Sequence, residues 1–164
     1  MSRLEDLISR FTAQKTHLDR AFSICHSQPG LALEVGLGSG RTFDHLRENL
    51  PDHQLFAFDY RVETHPGCEP SESQQVLGDI SKTLPKFAND HTNQAILIHL
   101  DIGTKKYKDD IERYKKFIPS VFSMLMKGGV LVSDRPVEHS HLKPLPDLKD
   151  QGSWKYFSYS KVES

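Results

Sequence analysis

The sequence contains little cysteine and no excess of either charge. Its two cysteines, Cys25 and Cys68, are too few for a disulfide framework and lack the close spacing of a metal-binding pair, so we expect free thiols in a reducing compartment. The 21 basic and 22 acidic residues leave a net charge of -1. Because phosphate backbones are normally bound by a basic surplus, nucleic acid is not an expected partner.

Long apolar runs are also absent. No segment approaches the roughly 20 residues needed to cross a bilayer, and the N-terminal segment MSRLEDLISRF mixes charged with apolar residues, unlike a secretory signal. These features predict a cytoplasmic protein without a membrane partner. With 164 residues, of which 37% are hydrophobic and 26% charged, the chain is long enough to bury one continuous core.

Short apolar segments alternate with segments of helical period along most of the chain. The predicted strands are LALEV, QLFAFDY, QQVLGD, QAILIHLD and GVLVSD. Between them apolar residues recur three or four positions apart, as at Phe43, Leu46 and Leu50, which is the period of a helix. Strands that alternate with helices predict an α/β fold, a three-layer α-β-α sandwich around a mostly parallel, doubly wound sheet.

Two segments flank this alternating core. Residues 1–28 are predicted to form an N-terminal capping helix, which begins with a capping box between Ser2 and Glu5. Residues 31–134 are the predicted core, and residues 135–164 are a proline-rich loop followed by a final strand in WKYFSYS. We expect the whole chain to form a single domain.

The first predicted strand runs directly into a loop with glycine at every second position, in ALEVGLGSGRTF. Gly36, Gly38 and Gly40 indicate either a tight turn or a ligand that approaches the bare backbone, and a strand, a glycine turn and a helix start together make a nucleotide site. The dinucleotide fingerprint requires a small residue where this sequence has Arg41, which argues against NAD.

The segment LEVGLGSG resembles the first motif of the class I S-adenosylmethionine-dependent methyltransferases, in which an acidic and an apolar residue precede G-x-G-x-G. Glu34 and the three glycines match this motif position by position, and the resemblance extends from about Leu31 to Asp134. It implies a Rossmann-like fold, S-adenosyl-L-methionine as the cofactor and methyl transfer to an acceptor. The family's core ends with two antiparallel strands. Only one is recognisable here, so we expect a truncated antiparallel end.

The resemblance also implies a set of cofactor-binding residues at the strand ends. Asp59 stands at the family's ribose-binding position, Asp79 where the family contacts the adenine amino group with Ile80 against the ring, and Asp101 beneath the methionine moiety. A carboxylate-rich site suits a ligand that carries a sulfonium cation and no phosphate. The full candidate set is Glu34, which would help to hold the ammonium group, with Gly36, Gly38, Gly40, Thr42, Asp59, Tyr60, Asp79, Ile80 and Asp101.

Several of these residues have a structural alternative. Asp59 fits a solvated strand end, while Thr42 and Asp79 fit helix caps. Asp101 fits a cap or a salt bridge to a lysine in TKKYK. Whether Tyr60 stacks on a ligand or packs in the protein stays open.

A divalent cation is a further possibility that the resemblance raises. The catechol-type O-methyltransferases bind such a cation through an Asp after strand four, an Asp after strand five and a following Asn. Asp101 and Asp134 match the two acids, but Arg135 stands in place of the Asn. Because a cationic side chain opposes a metal and an oxygen donor is missing, we expect no metal.

No catalytic base is assigned from the sequence. The candidates are His99, Asp101, Asp134, His139 and His141. His99 lies within an aliphatic strand and is expected to be a hydrogen-bonded core residue, while His139 and His141 lack a third metal ligand and fit a solvated loop.

The favoured function is methyl transfer to a small-molecule acceptor, because the sequence has no inserted substrate domain. The N-terminal helix and the proline-rich loop after Asp134 are the expected walls of the acceptor pocket, and a homodimer is a second way to complete it. Trp154, Phe157 and Tyr159 fit either a pocket or a packed core. The alternatives are a non-catalytic S-adenosylmethionine-binding regulatory protein and an NAD-dependent oxidoreductase.

Overall fold

The computed structural model describes residues 2–149 and 152–162. Its helices are α1 (Arg3–Cys25), α2 (Arg41–Asn49), α3 (Ile80–Asp90) and α4 (Tyr107–Met124). Its strands are β1 (Leu31–Val35), β2 (Gln54–Asp59), β3 (Gln75–Leu77), β4 (Ala95–Leu100), β5 (Leu125–Ser133), β6 (Leu142–Pro144) and β7 (Phe157–Lys161). None of the helices in this part of the chain combines the length and the hydrophobicity that a bilayer span requires.

The described strands form one seven-stranded sheet in the order β3-β2-β1-β4-β5-β7-β6. The first five are parallel, whereas β7 pairs antiparallel with both β5 and β6. The predicted α/β class and the mostly parallel sheet are confirmed. The expected truncation is wrong, because Leu142–Pro144 forms the second antiparallel strand. This strand was missed because its three residues include a proline and carry no alternating pattern.

The helices lie in two layers, one on each face of the sheet. On one face α1 and α2 pack against side chains such as Ala32 and Ala57, and on the other face α3 and α4 pack against Leu33 and Val35. Neighbouring residues of β1 therefore serve different layers, as expected of a strand that is covered on both sides.

The start of α1 follows the predicted capping box. The Glu5 backbone N–H donates to Ser2 Oγ at 3.2 Å, and the Ser2 backbone N–H donates to Glu5 Oε2 at 2.5 Å. The helix then continues for 23 residues, and its buried residues lie in its C-terminal two thirds, from Ala13 to Cys25. Its first turns extend beyond the packed core and leave Leu4, Leu7, Ile8 and Phe11 exposed.

The order of the strands reverses between β1 and β4. After β1 the chain builds β2 and β3 on one side, and it then returns to place β4 on the other side. Because the connecting helices leave from opposite faces at this point, a crevice opens outside the carboxyl ends of these strands, where ligands of such sheets bind.

Candidate functional site

A cavity of about 860 Å³ occupies this crevice. Its floor is formed by the residues that follow β1, β2, β3 and β4, and its walls by α1 and α4. Eight of the ten predicted cofactor-binding residues line it: Gly36, Gly38, Thr42, Asp59, Tyr60, Asp79, Ile80 and Asp101. Glu34 and Gly40 do not. The structure thus gathers residues that are up to 65 positions apart in the sequence around one volume.

The three glycines of the loop after β1 have different reasons to lack a side chain. All three have positive φ angles, of 102°, 50° and 79° at Gly36, Gly38 and Gly40. A Cβ on Gly36 would collide with the backbone carbonyl of Asp101, and one on Gly40 would lie 2.8 Å from the carbonyl oxygen of Cys68. A Cβ on Gly38 would meet nothing within 4 Å. Only Gly38 therefore leaves its space open toward the cavity.

Gly40 is required by a loop that folds over the glycine turn. The His65 backbone N–H donates to the Ser39 carbonyl at 3.0 Å, and Arg41 Nη2 donates to His65 Nε2 at 2.6 Å. Arg47 in α2 holds the far side of the same loop through the Gly67 carbonyl, at 2.8 Å. The expectation that Gly40 borders the ligand is therefore corrected, because the chain itself fills that space.

Asp59 closes β2 and fixes the glycine turn. Its Oδ2 accepts a hydrogen bond from the Gly38 N–H at 3.0 Å, and its Oδ1 accepts one from the Tyr60 N–H at 2.7 Å. The carboxylate thus lies beside the open face of Gly38, and the Tyr60 ring projects from the same edge with 67% of its surface exposed.

Asp79 caps the N-terminus of α3 and also lines the cavity. Its Oδ1 accepts hydrogen bonds from the Ser81 hydroxyl at 2.8 Å and from the Ser81 N–H at 2.9 Å, which caps α3. These two bonds lower the pKa of Asp79 below its ordinary value, so the side chain is a carboxylate at neutral pH. The next residue, Ile80, is 9% exposed and presents an apolar surface to the cavity.

Glu34 lies below the cavity floor and is fully buried. Its Oε1 accepts a hydrogen bond from the Thr42 hydroxyl at 2.6 Å, and its Oε2 accepts one from His99 Nδ1 at 2.8 Å. Both oxygens are therefore used by neighbours of the glycine turn and of β4. The expected contact of Glu34 with the cofactor's ammonium group does not fit this geometry, whereas Thr42 itself lines the cavity.

His99 is the hydrogen-bonded core residue that the sequence predicts. It is fully buried, and while Nδ1 faces Glu34, Nε2 lies 2.6 Å from the hydroxyl of Tyr156. Burial disfavours the imidazolium, but the adjacent Glu34 carboxylate outweighs it and raises the pKa of His99. The contact with Glu34 therefore favours the imidazolium form of His99.

Two carboxyl groups, Asp101 and Asp134, meet where β4 and β5 end. Asp101 Oδ2 accepts hydrogen bonds from Gln14 Nε2 at 2.5 Å and from the Tyr156 hydroxyl at 3.1 Å, and Arg10 approaches the same oxygen to 3.4 Å. Asp134 accepts a short hydrogen bond from the hydroxyl of Tyr114. Asp101 faces the cavity, whereas Asp134 lies behind it.

The two carboxyl groups titrate differently. Burial favours the neutral form of both, and for Asp134 burial together with the negative charge of Asp101 raises the pKa to about 6. For Asp101 the positive charges of His99 and Arg10 outweigh burial, so its pKa lies below the ordinary value. Asp101 is thus the ionised member of the pair, and a proton taken up by the pair goes to Asp134.

The residues next to Asp134 do not fit a divalent cation. The guanidinium of Arg135 donates to Asp134 Oδ2 at 2.9 Å, to Asp110 Oδ2 at 2.8 Å and to the Thr104 carbonyl at 2.7 Å. It packs so closely that a Cβ on Gly103 would lie 2.6 Å from its Cζ. Across the described residues no group of three or more His, Cys, Asp or Glu side chains is arranged to hold a metal. A permanent side-chain cation fills the position beside this carboxylate.

The other sequence candidates lie outside the cavity. His139 stacks on Phe122 at 3.8 Å between ring centroids, and His141 lies beside it. Trp154 packs against the α1 layer, and the Tyr159 hydroxyl accepts the Val137 N–H at 2.9 Å. Phe157 packs against the opposite layer. Among the described residues of the loop after Asp134 none lines the cavity, so of the two expected walls the structure shows the N-terminal helix.

Sequence reasoning missed three polar residues around Asp101. Arg10 and Gln14 come from α1, and Tyr156 immediately precedes β7. Arg10 and Gln14 lie four positions apart on one face of a helix that was predicted to border the pocket, so their spacing could have singled them out. No sequence signal links Tyr156 to the site.

The chain is similar to methyltransferases over nearly its whole length. A family model described as S-adenosyl-L-methionine methyltransferase matches residues 1–161. The crystal structure of an S-adenosyl-L-methionine methyl transferase from Silicibacter pomeroyi is 31% identical in sequence, with a TM-score of 0.89 over 98% of this chain and 99% of that chain. None of the curated proteins matches the chain.

More distant solved structures share the fold alone. MycE methyltransferase from the mycinamycin biosynthetic pathway, in complex with Mg and SAH, is 15% identical with a TM-score of 0.60, over 96% of this chain and 48% of that chain. The 1,6-didemethyltoxoflavin-N1-methyltransferase of Burkholderia thailandensis, with 1,6-didemethyltoxoflavin and S-adenosylhomocysteine bound, is 14% identical with a TM-score of 0.58, over 90% and 79% of the two chains.

The glycine turn predicts two different responses to alanine among its three glycines. Gly36→Ala and Gly40→Ala each lower the free energy of unfolding by about 1–3 kcal/mol, because the added methyl group overlaps backbone atoms. Gly38→Ala lowers it by only about 1 kcal/mol, the cost of its left-handed backbone. Urea denaturation of the three variants measures this order, and a Gly38 variant as unstable as the Gly36 variant would contradict it.

The position of Arg135 beside Asp134 predicts that the site works without a metal ion. In the wild-type protein EDTA or added Mg²⁺ leaves the thermal midpoint and the affinity for S-adenosylhomocysteine unchanged. Arg135→Asn lowers the free energy of unfolding by about 3–5 kcal/mol, because it leaves the buried carboxyl group of Asp134 without its cation and removes one of the two arginines that pair with Asp110. A fall in wild-type stability or affinity on adding EDTA would show that a metal is bound after all.

Proposed function

The chain belongs to the family of S-adenosyl-L-methionine methyltransferases, and from this premise we propose that it methylates a small molecule held in the cavity between α1 and the ends of β1 and β4. Membership of the family makes the chain an enzyme with S-adenosyl-L-methionine as its cofactor. The alternatives of a non-catalytic S-adenosylmethionine-binding protein and an NAD-dependent oxidoreductase are accordingly not favoured.

The open face of Gly38 beside Asp59 is the observation that carries the placement of the cofactor. In the proposed arrangement the adenosyl group lies over Gly38, where a Cβ would meet nothing, and its ribose hydroxyls donate to the Asp59 carboxylate. The adenine ring lies between Tyr60 and Ile80, with its amino group toward Asp79. Both aromatic and aliphatic surfaces at this edge border the cavity, which suits an apolar ring.

The methionyl end of the cofactor extends toward Asp101 in this proposal. The ligand has a sulfonium and an ammonium group, and the ionised carboxylate of Asp101 offers the opposite charge at the cavity wall. Thr42 borders the cavity from the first turn of α2. Glu34 supports this end only indirectly, by accepting the hydroxyl of Thr42.

The acceptor is placed against the exposed apolar side of α1. Leu7 and Phe11 line the cavity and are 47% and 41% exposed, so a small acceptor with an apolar face would cover them. The volume lies within the range of about 300–1,000 Å³ typical of small-molecule sites. Small molecules are also bound in two distant structures. 1,6-Didemethyltoxoflavin is bound in the Burkholderia thailandensis enzyme, and mycinamycin VI in a second crystal structure of MycE, which is 16% identical with a TM-score of 0.60.

The chemistry asks mainly for alignment. The sulfonium is already activated, so holding the acceptor atom in line with the S–CH₃ bond supplies much of the acceleration.

The single-domain organisation, a homodimer and a cytoplasmic location stay predictions from the sequence.

The cofactor placement predicts that Asp59→Ala weakens binding of S-adenosylhomocysteine by about 1–3 kcal/mol, because the ribose hydroxyls lose their acceptor. Isothermal titration calorimetry measures this change. Asp90→Ala, an exposed acid at the far end of α3, is the matched control and keeps wild-type affinity. Equal affinities for the wild type and the Asp59 variant would remove Asp59 from the site.

The acceptor proposal predicts where a labelled methyl group goes. After incubation of the enzyme with methyl-labelled cofactor and a whole-cell extract, the label appears in the ultrafiltrate that contains small molecules. Gly38→Val, which fills the proposed cofactor space, gives no labelled product and serves as the control. Label that is found only in the retained protein or RNA would overturn the small-molecule assignment.

A further inference from the structure

A continuous chain of hydrogen bonds runs beneath the cavity floor from the glycine turn to Asp101. Thr42 donates to Glu34 at 2.6 Å, Glu34 and His99 are 2.8 Å apart, His99 and the Tyr156 hydroxyl are 2.6 Å apart, and Tyr156 reaches Asp101 at 3.1 Å. We call Glu34, His99 and Tyr156 the buried relay. Its two charged members come from the centre of the sheet, in β1 and β4.

The hydrogen positions in this chain follow from its end members. A carboxylate can only accept, so His99 Nδ1 donates to Glu34. The imidazolium then also donates from Nε2 to the Tyr156 oxygen, which leaves the tyrosine proton free to be donated to Asp101 Oδ2. The hydrogen bonds of the buried relay thus run outward from His99, on one side to Glu34 and on the other through Tyr156 to Asp101.

The stability of the fold does not by itself explain why Glu34 and His99 are buried side by side. Glu34 and His99 are both fully buried within strands whose other residues are aliphatic or alanine. A buried ion pair is often no more stabilising than apolar residues of the same volume, and apolar side chains at these two positions would continue both strands. We therefore expect the Glu34–His99 pair to have a role other than packing.

The relay ends on Asp101, the carboxylate that the proposed placement sets against the positively charged methionyl end of the cofactor. Asp101 lies beside the second carboxyl group of Asp134, and two adjacent carboxyl groups oppose each other's ionisation. The groups that face Asp101 come from the helices α1 and α4, from β4 and β5, and from the segment before β7: Arg10, Gln14, Tyr114, His99, Asp134 and Tyr156. The positive members and the hydrogen-bond donors act on Asp101 from the α1 side of the sheet.

We propose that His99 and Tyr156 are positioning residues, which hold the Asp101 carboxylate ionised and aimed at the cavity so that it binds the positively charged methionyl end of the cofactor. This proposal rests on the cofactor placement given above. Glu34 has two roles in this proposal. It favours the charged form of His99, and it accepts the hydroxyl of Thr42 at the other end of the site.

Tyr156→Phe tests the proposal against Tyr159→Phe. Both tyrosines are buried at the same end of the chain and each uses its hydroxyl, but the Tyr159 hydroxyl serves the Val137 backbone, away from the cavity. Titration with S-adenosylhomocysteine at about pH 7.5 should show about tenfold weaker binding for the Tyr156 variant, which corresponds to one charged hydrogen bond. The Tyr159 variant keeps wild-type affinity, and thermal unfolding reports the stability of both.

The pH dependence of binding separates positioning from a structural role. Without the Tyr156 hydroxyl the Asp101 carboxylate is protonated more easily, so its pKa rises. Because the pKa of Asp101 lies below its ordinary value in the wild type, the affinity of Tyr156→Phe should begin to fall at a higher pH than that of the wild type as the pH drops from about 6 to about 4. An unchanged affinity and pH profile in Tyr156→Phe, or equal losses in both tyrosine variants, would overturn the proposal.

A double-mutant cycle shows whether Tyr156 acts through Asp101. Asp101→Asn should weaken binding by itself, and adding Tyr156→Phe should then weaken it no further. Additive losses would mean that Tyr156 acts on the ligand by another route and would contradict the relay. If Asp59→Ala weakens binding while Tyr156→Phe does not, only this inference fails. If neither Asp59→Ala nor Asp101→Asn weakens binding, the cofactor placement itself is wrong.

Discussion

The close approach of β1 and β4 at Gly36 is the constraint on which the site depends. The Asp101 N–H donates to the Val35 carbonyl at 3.0 Å, and the carbonyl of Asp101 lies against the bare Cα of Gly36. A side chain at Gly36 would push the two strand ends apart. The glycine therefore sets the position of Asp101 relative to the glycine turn, and with it the distance between the two halves of the cavity.

The charges of the site are arranged around that contact. The carboxylates of Asp59, Asp79 and Asp101 border the cavity, where a cationic ligand without phosphate can use them. The less accessible acids have partners within the protein, since Glu34 faces His99 and Asp134 faces Arg135. Because an isolated buried charge is strongly unfavourable, this pairing lets the site carry several acids at once.

Arg135 is the residue on which the expectation of a metal-free site rests. Its guanidinium links Asp134, Asp110 and the Thr104 carbonyl, and so ties the end of β5 to the start of α4. A divalent cation at this position would bind the acceptor and acidify its hydroxyl, whereas the arginine is held by three acceptors of the protein itself. In the proposed reaction the main contribution of the protein to catalysis is then to align the acceptor with the cofactor, through the cavity walls and above all through α1.

The fold class, the glycine turn and the strand-end acids could all be predicted from local patterns in the sequence. These features depend on short-range patterns: alternating apolar periods, φ angles that favour glycine, and an acid at or close to the ends of β2, β3, β4 and β5. Tertiary structure alone decided which of these groups reach a ligand. Gly40 faces Cys68 and Glu34 faces His99 rather than the cavity, and Gln14 and Tyr156 reach Asp101 across 87 and 55 positions. Such contacts depend on how the layers pack, and no local pattern encodes them.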